Sequence, residues 1–176
     1  MNPNVLLPTS HEILKIGINQ TIHVPKTTPI FAPWEGKPVD DDYNGKQVLN
    51  INGRPAFAEL AILWAMQEAN WDGVWIDTYR RKYRTGYWEV PPLPNLPPSP
   101  RNLLEKIYSR AGSRFGAWDI YCWKGPCVRF MEAKRSRKDS IRETQRRFLK
   151  AGMGAGLTPE NFLVVEWSLK PPISTD

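Results

Sequence analysis

The chain has 176 residues, 41% of them hydrophobic and 24% charged, with a formal net charge of +6. That is about the size of one domain, large enough to bury a core without staples, and ordinary for a globular protein. Spanning and export are excluded as expectations: no apolar run approaches the ~20 residues that cross a bilayer, and Met1-Asn2-Pro3-Asn4 lacks the layout of a secretion signal.

Residues 1–54 read as an N-terminal extension. Ile16, Ile18, Ile22 and Val24 alternate as in a strand, with a break at Gln20 and an end at Pro25. Pro25, Pro29, Pro33 and Pro38, with the acidic run Asp40-Asp41-Asp42, predict an extended arm with turns, and Asn52-Gly53 a turn. Residues 55–69 predict a helix with Pro55 at its tolerated first position, apolar almost all round and therefore buried. Glu59 sits in it among Ala56, Ile62 and Leu63 at helical spacing. A carboxylate there is costly unless paired or metal-bound; a half-exposed, solubilising Glu59 is the weaker alternative.

Val74 to Tyr79 predicts a strand that runs into the basic block Tyr79-Arg80-Arg81-Lys82-Tyr83-Arg84. Six of the ten residues 91–100 are proline, which predicts an extended, stiff surface connection inside an insertion over 80–113. The alternative is a docking strip for a domain that reads proline-rich segments. A short amphipathic helix from Asn102 to Ala111 follows, then a hairpin over 117–135 and a helix over 140–151 ended by Gly152 and Gly154. An apolar strand, Phe162 to Trp167, comes next, and 170–176 form a loose tail. The order predicts an α/β sandwich over 55–169, with a mixed sheet whose last strand is reached by a crossover helix. Cys122 and Cys127 flank the hairpin turn and read as reduced, buried thiols of a cytoplasmic protein.

The hairpin carries the chemistry. Joined at Lys124-Gly125-Pro126-Cys127, its symmetric register sets Asp119 opposite Glu132, and Glu132 and Lys134 share a face because side chains alternate. Two carboxylates and an ammonium converging among apolar positions suit a divalent ion more than a core. Asp119 and Lys134 as a plain cross-strand ion pair, worth about 0.2–1 kcal/mol, is the bland alternative. Basic residues cluster nearby: Arg80, Arg81 and Lys82; Arg135, Arg137 and Lys138; and Arg142, Arg146 and Arg147 on the next helix. Interleaved with aromatic residues, they have the footprint of a phosphate-backbone binder.

Glu59 on a first helix, then Asp119, then Glu132-Ala133-Lys134, then Ser140 and Gln145 at the next helix, resembles the PD-(D/E)XK nuclease superfamily, and within it the VRR-NUC type. The resemblance covers roughly residues 56–169 without the insertion, and Trp118 stands where that family has proline. It implies a restriction-endonuclease-like core and Mg²⁺- or Mn²⁺-dependent phosphodiester hydrolysis, DNA being a better expectation than RNA. It further implies metal ligation by Asp119, Glu132, the Ala133 carbonyl and Glu59, a water-activating Lys134, and a Gln145 that orients water or the lysine. Glu59 would ligate a second ion or anchor Lys134, and Arg114 and the clustered basic residues would hold the nucleic acid. A homodimer or a larger assembly is a further expectation, and a non-catalytic nucleic-acid-binding or scaffold module on the same fold is the alternative.

Overall fold

The computed structural model describes residues 3–171, and every statement of absence below concerns those residues. In chain order the strands and helices are β1 (Ser10–Gly17), β2 (Gln20–Thr27), β3 (Ile30–Pro33), β4 (Leu49–Ile51), β5 (Arg54–Ala56), α1 (Ala58–Glu68), β6 (Asp72–Asp77) and β7 (Lys82–Arg84). Then come α2 (Pro98–Ala111), β8 (Ile120–Lys124), β9 (Cys127–Arg135), α3 (Glu143–Gly154) and β10 (Phe162–Leu169). The architecture is α/β, with one mixed, mostly antiparallel sheet of ten strands. Its order is β5-β4-β3-β10-β9-β8-β6-β7, and β2 also lies on β10 with β1 outside it. As expected, β9 and β10 are parallel and joined through α3, because parallel neighbours need a crossover.

Side-chain alternation divides the core into two layers. Ile120, Cys122, Met131, Leu163 and Val165 pack with α1 on one face, while Tyr121, Phe130, Phe162 and Val164 pack with α2 and α3 on the other. On that second face Tyr121, Phe130 and Phe162 form a stack, with ring centroids 4.3 and 5.6 Å apart.

The N-terminal segment contributes β1 to β5 to this same sheet. Val164 lies opposite Lys26 and Leu169 opposite Phe31, so β2 and β3 follow β10 in one continuous register, interrupted at Thr28-Pro29. The run Ile16 to Val24 is two strands instead of one: Ile18 is wholly exposed in the turn, and Gln20, read as a break, opens β2.

Helix starts also differ from expectation. Pairing of β5 with β4 holds residues 54–56 extended, so α1 begins at Ala58. α2 begins at Pro98, not Asn102; Pro97 caps it and Pro98 and Pro100 occupy its first turn, where backbone N–H groups have no helical partner to lose. Only 91–97 remain irregular, and they are not a detached connection, since Leu93 N–H donates to Tyr83 O (2.7 Å) and Leu96 is buried. α3 begins at Glu143 with Arg142, not Ser140, as its cap, and Gly152 lies inside it, where a Cβ would stand 2.7 Å from the Phe162 ring. The free thiols are not both buried: Cys122 is, and Cys127 is exposed. Lys170 N–H still bonds Phe31 O (2.8 Å), and the rest of the expected loose tail, 172–176, lies outside the described residues. Among the described residues no helix is long and apolar enough to cross a membrane.

Candidate functional site

The two-residue turn Gly125-Pro126 fixes the β8–β9 register from Lys124 opposite Cys127 to Ile120 opposite Met131. One residue further, Asp119 meets Glu132 as the sequence predicts. Asp119 N–H donates to Glu132 Oε2 (3.3 Å), and Ala133 N–H donates to Asp119 Oδ2 (3.1 Å). In an extended strand the Ala133 carbonyl points to the same side as its N–H. Lys134 Nζ stands 2.9 Å from Glu132 Oε1, and Gln145 Nε2 donates to that same oxygen at 2.6 Å.

Three contacts press the start of α3 against this corner. Gln145 Oε1 accepts the Arg142 N–H (2.9 Å), so one amide serves both the helix end and Glu132. The Trp118 indole N–H donates to Gln145 O (3.2 Å), which ties residue 118 to α3. Gly116, at φ 86°, passes so close to α3 that a Cβ would be 2.5 Å from the Thr144 carbonyl. Asp119, Glu132, Lys134 and Gln145 are therefore one cluster.

Glu59 approaches from the other face of the sheet. It lies in the first turn of α1 and is buried. It does not anchor Lys134, which Glu132 holds; its partner is Lys46, whose Nζ is 2.5 Å from Glu59 Oε1. Glu59 Oε2 is buried without a hydrogen bond. The Lys46 ammonium is enclosed by the rings of Trp75, Phe57 and Tyr43, at 5.4, 5.5 and 5.9 Å from their centroids. The strap that carries Lys46 is tied down as well: Tyr43 Oη donates to Asp77 Oδ2 (2.5 Å), and Asp41 pairs with Arg80. Sequence reading missed Lys46 because its partners come from α1 and β6, and no local pattern marks it.

Burial, then the neighbouring Glu132 and Glu59 carboxylates, push the Asp119 carboxyl well above its usual range, against the pull of Lys46. Burial also raises Glu132, with Lys134 opposing. Burial alone would lower Lys46, but the Glu59 and Asp119 charges outweigh it and the ammonium is held charged. Asp119 and Glu132 offer hard oxygens of the kind Mg²⁺ or Mn²⁺ would take, and Glu59 Oε2 is a buried carboxylate oxygen with no donor. As they stand, no three His, Cys, Asp or Glu side chains among the described residues are gathered closely enough to hold an ion; Lys134, Gln145 and Lys46 hold the acids instead.

The loops after β6 and β9 both leave the sheet at the end where β8 begins, since β8 is antiparallel to each. Basic residues therefore lie at the same end of the sheet as the acidic cluster. Arg81, Lys82, Arg137, Lys138 and Arg142 are exposed. Others of the expected set are committed internally. Arg80 pairs with Asp41 and lies 4.2 and 4.3 Å from the Tyr43 and Trp88 rings, Arg114 makes two bonds to Glu105 (2.7 and 2.8 Å), and Arg146 pairs with Glu143 (3.1 Å). Arg135 lies over Trp167, 5.5 Å from its centroid. A cavity of about 500 Å³ opens beside β6, lined among others by Arg81, Lys82, Tyr83, Tyr108, Arg114 and Phe115. Comparison of the chain with family models, with curated proteins and with solved structures gives no match in any of the three.

Proposed function

We propose that the chain is a divalent-metal-dependent nuclease of PD-(D/E)XK type that hydrolyses phosphodiester bonds in DNA. The observation that carries this reading is the convergence on Glu132 of Asp119, Lys134 and Gln145, at the end of the sheet where the exposed basic loops emerge. The series α1, β6, β8, β9, α3, β10 is read as a restriction-endonuclease-like core, with β1 to β5 and the 80–113 segment built around it.

Asp119, Glu132 and the Ala133 carbonyl would hold Mg²⁺ or Mn²⁺. When bound, the ion supplies positive charge against the phosphate and acidifies coordinated water. The protein's own groups would divide the remaining work. Lys134, fixed by Glu132, would hold the attacking water and take or relay its proton; Gln145 would keep Glu132 from turning away. Arg81, Lys82, Arg137, Lys138 and Arg142 would neutralise backbone phosphates on either side of the cut.

The test is cleavage of plasmid, linear and branched DNA with Mg²⁺ or Mn²⁺. Loss in Glu132→Gln and Lys134→Ala by about 10²-fold or more, with salt-sensitive DNA binding retained, is expected. Undiminished cleavage in both variants refutes this site. Salt-sensitive binding without products in either metal would make the chain a non-catalytic nucleic-acid-binding module.

A further inference from the structure

Beside the acids, between the end of β6, β7 and α2, lies the cavity of about 500 Å³. Ile76, Leu96 and Tyr108, all buried, give it an apolar wall, and the exposed Arg81, Lys82 and Phe115 also line it. It adjoins the acidic cluster directly. The Ile76 N–H donates to Asp119 O (2.7 Å), and Phe115 precedes Asp119 by four residues, a reach of at most ~14 Å. We propose that this cavity takes one unstacked base of the DNA strand held at the acidic cluster, so that DNA with unpaired bases is the substrate in preference to intact duplex. This rests on the nuclease reading above and names its substrate class.

Size, chemistry and position favour a base. The volume falls within the range of small-molecule sites, about 300–1,000 Å³. Tyr83 and Tyr108 line it, and the Arg114 guanidinium lies 5.1 Å from the Tyr108 ring centroid. Aromatic rings and guanidinium planes are the surfaces on which unpaired bases stack. Thr78 and Asn95 add a hydroxyl and an amide for the polar edge of a base. The two acids that line the cavity are each neutralised, Glu105 by Arg114 (2.7 Å) and Asp77 by Arg84 (3.3 Å). Arg81 and Lys82 are exposed, so their charges are left for the phosphates on either side of the base. Phe115 is the residue that the fold itself does not explain. The other five phenylalanines are buried, whereas Phe115 is 67% exposed. Its backbone is nevertheless fixed. Phe115 N–H donates to Ser113 Oγ (2.9 Å), and Gly116 beside it lies too close to Thr144 of α3 to admit a Cβ. Little backbone freedom is therefore lost when a base stacks on that ring. A duplex keeps its bases in the stack and cannot fill the cavity without flipping one out, a cost that an unpaired strand does not meet.

Binding of fluorescein-labelled oligonucleotides to the full chain, followed by anisotropy in EDTA at fixed salt, tests the inference apart from catalysis. A single strand is expected to bind more tightly than the duplex of the same sequence. Phe115→Ala, which leaves the core intact, is expected to weaken single-strand binding about 5- to 150-fold, the worth of one stacked base, and to leave duplex binding unchanged. Phe115→Trp keeps the preference, and Lys82→Ala weakens both forms alike, as loss of a phosphate contact must. A fully abasic strand, which retains the phosphates, should bind wild type and Phe115→Ala equally. Equal binding of single strand and duplex by the wild type, or a Phe115→Ala that weakens both or neither, overturns the proposal and leaves the nuclease reading standing. A Phe115-dependent preference without cleavage in Mg²⁺ or Mn²⁺ overturns the nuclease reading and keeps the base site. No binding of either DNA overturns both.

Discussion

Asp119→Asn should abolish metal binding and yet make the metal-free protein more stable. Asn is isosteric and keeps an oxygen for the Ala133 N–H, 3.1 Å away in the wild type. What it removes is a charge forced in among Glu132 and Glu59 away from water. The sign follows from linkage. The folded Asp119 carboxyl titrates above its unfolded value near 3.9, so at intermediate pH the native state holds a proton that the unfolded chain releases. Stability therefore falls as pH rises between those two values, by about 1.4 kcal/mol per pH unit of separation, and stays at the lower level above them. Glu132 shifts the same way and adds to the trend. With Lys46 and Lys134 offsetting part of the repulsion, the variant should gain about 1–3 kcal/mol at pH 8. For a chain of this length each kcal/mol moves the melting temperature by about 2–4 °C. The assay is thermal unfolding followed by circular dichroism in EDTA, at pH 5 and pH 8, and again at pH 8 with Mg²⁺. The gain should be larger at pH 8 than at pH 5, and Mg²⁺ should raise the wild type alone. A variant that melts at or below the wild type at pH 8, or whose gain ignores pH, refutes the reasoning.

Asp77→Ala removes the partner of buried Arg84, 3.3 Å away, together with the acceptor of Tyr43 Oη and Arg80 N–H. Loss of about 3–5 kcal/mol is expected, read as a lower urea midpoint at unchanged slope; a change under 1 kcal/mol, on the order of a surface substitution, counts against a buried pair. Gly116→Ala meets both a left-handed φ of 86° and the Thr144 carbonyl 2.5 Å from the new Cβ, whereas Gly125→Ala, at φ 56°, meets no atom within 4 Å. The first should be the more destabilising by about 1 kcal/mol or more, and equal losses would deny the close approach of 116 to α3. Burial pushes the Cys122 thiol up while Cys127 is exposed, so a thiol reagent at pH 8 should titrate one cysteine in the native protein and two after denaturation. Two in the native state would contradict the packing of β8.

The hairpin was legible because its information is local. A two-residue turn and alternating side chains fix Asp119 opposite Glu132 whatever the rest of the molecule does. β10 declared itself as an apolar run, since Phe162 to Val165 are buried on both faces of the sheet. β3, β4 and β5 did not: they are three or four residues long, two contain proline, and they exist through pairing with each other and with β10. Proline density misled at 97–100 because the residue that breaks a helix interior is well placed at its start. In the basic clusters the sign of charge was readable, but Arg80, Arg114 and Arg146 are committed to acids at separations from 3 to 39 residues, which composition does not show. Lys46 is the same case at the site itself.

β10 is the seam of the molecule, with β9 along one edge and β2 and β3 along the other. The opening hairpin and the acid-bearing strands thus share no strand pairing among the described residues and meet across a strand made after both. Until it arrives both present bare hydrogen-bonding edges, open to pairing with other nascent chains. Folding of the sheet should accordingly be slow and wait on β10, and a chain cut before Phe162 should be insoluble.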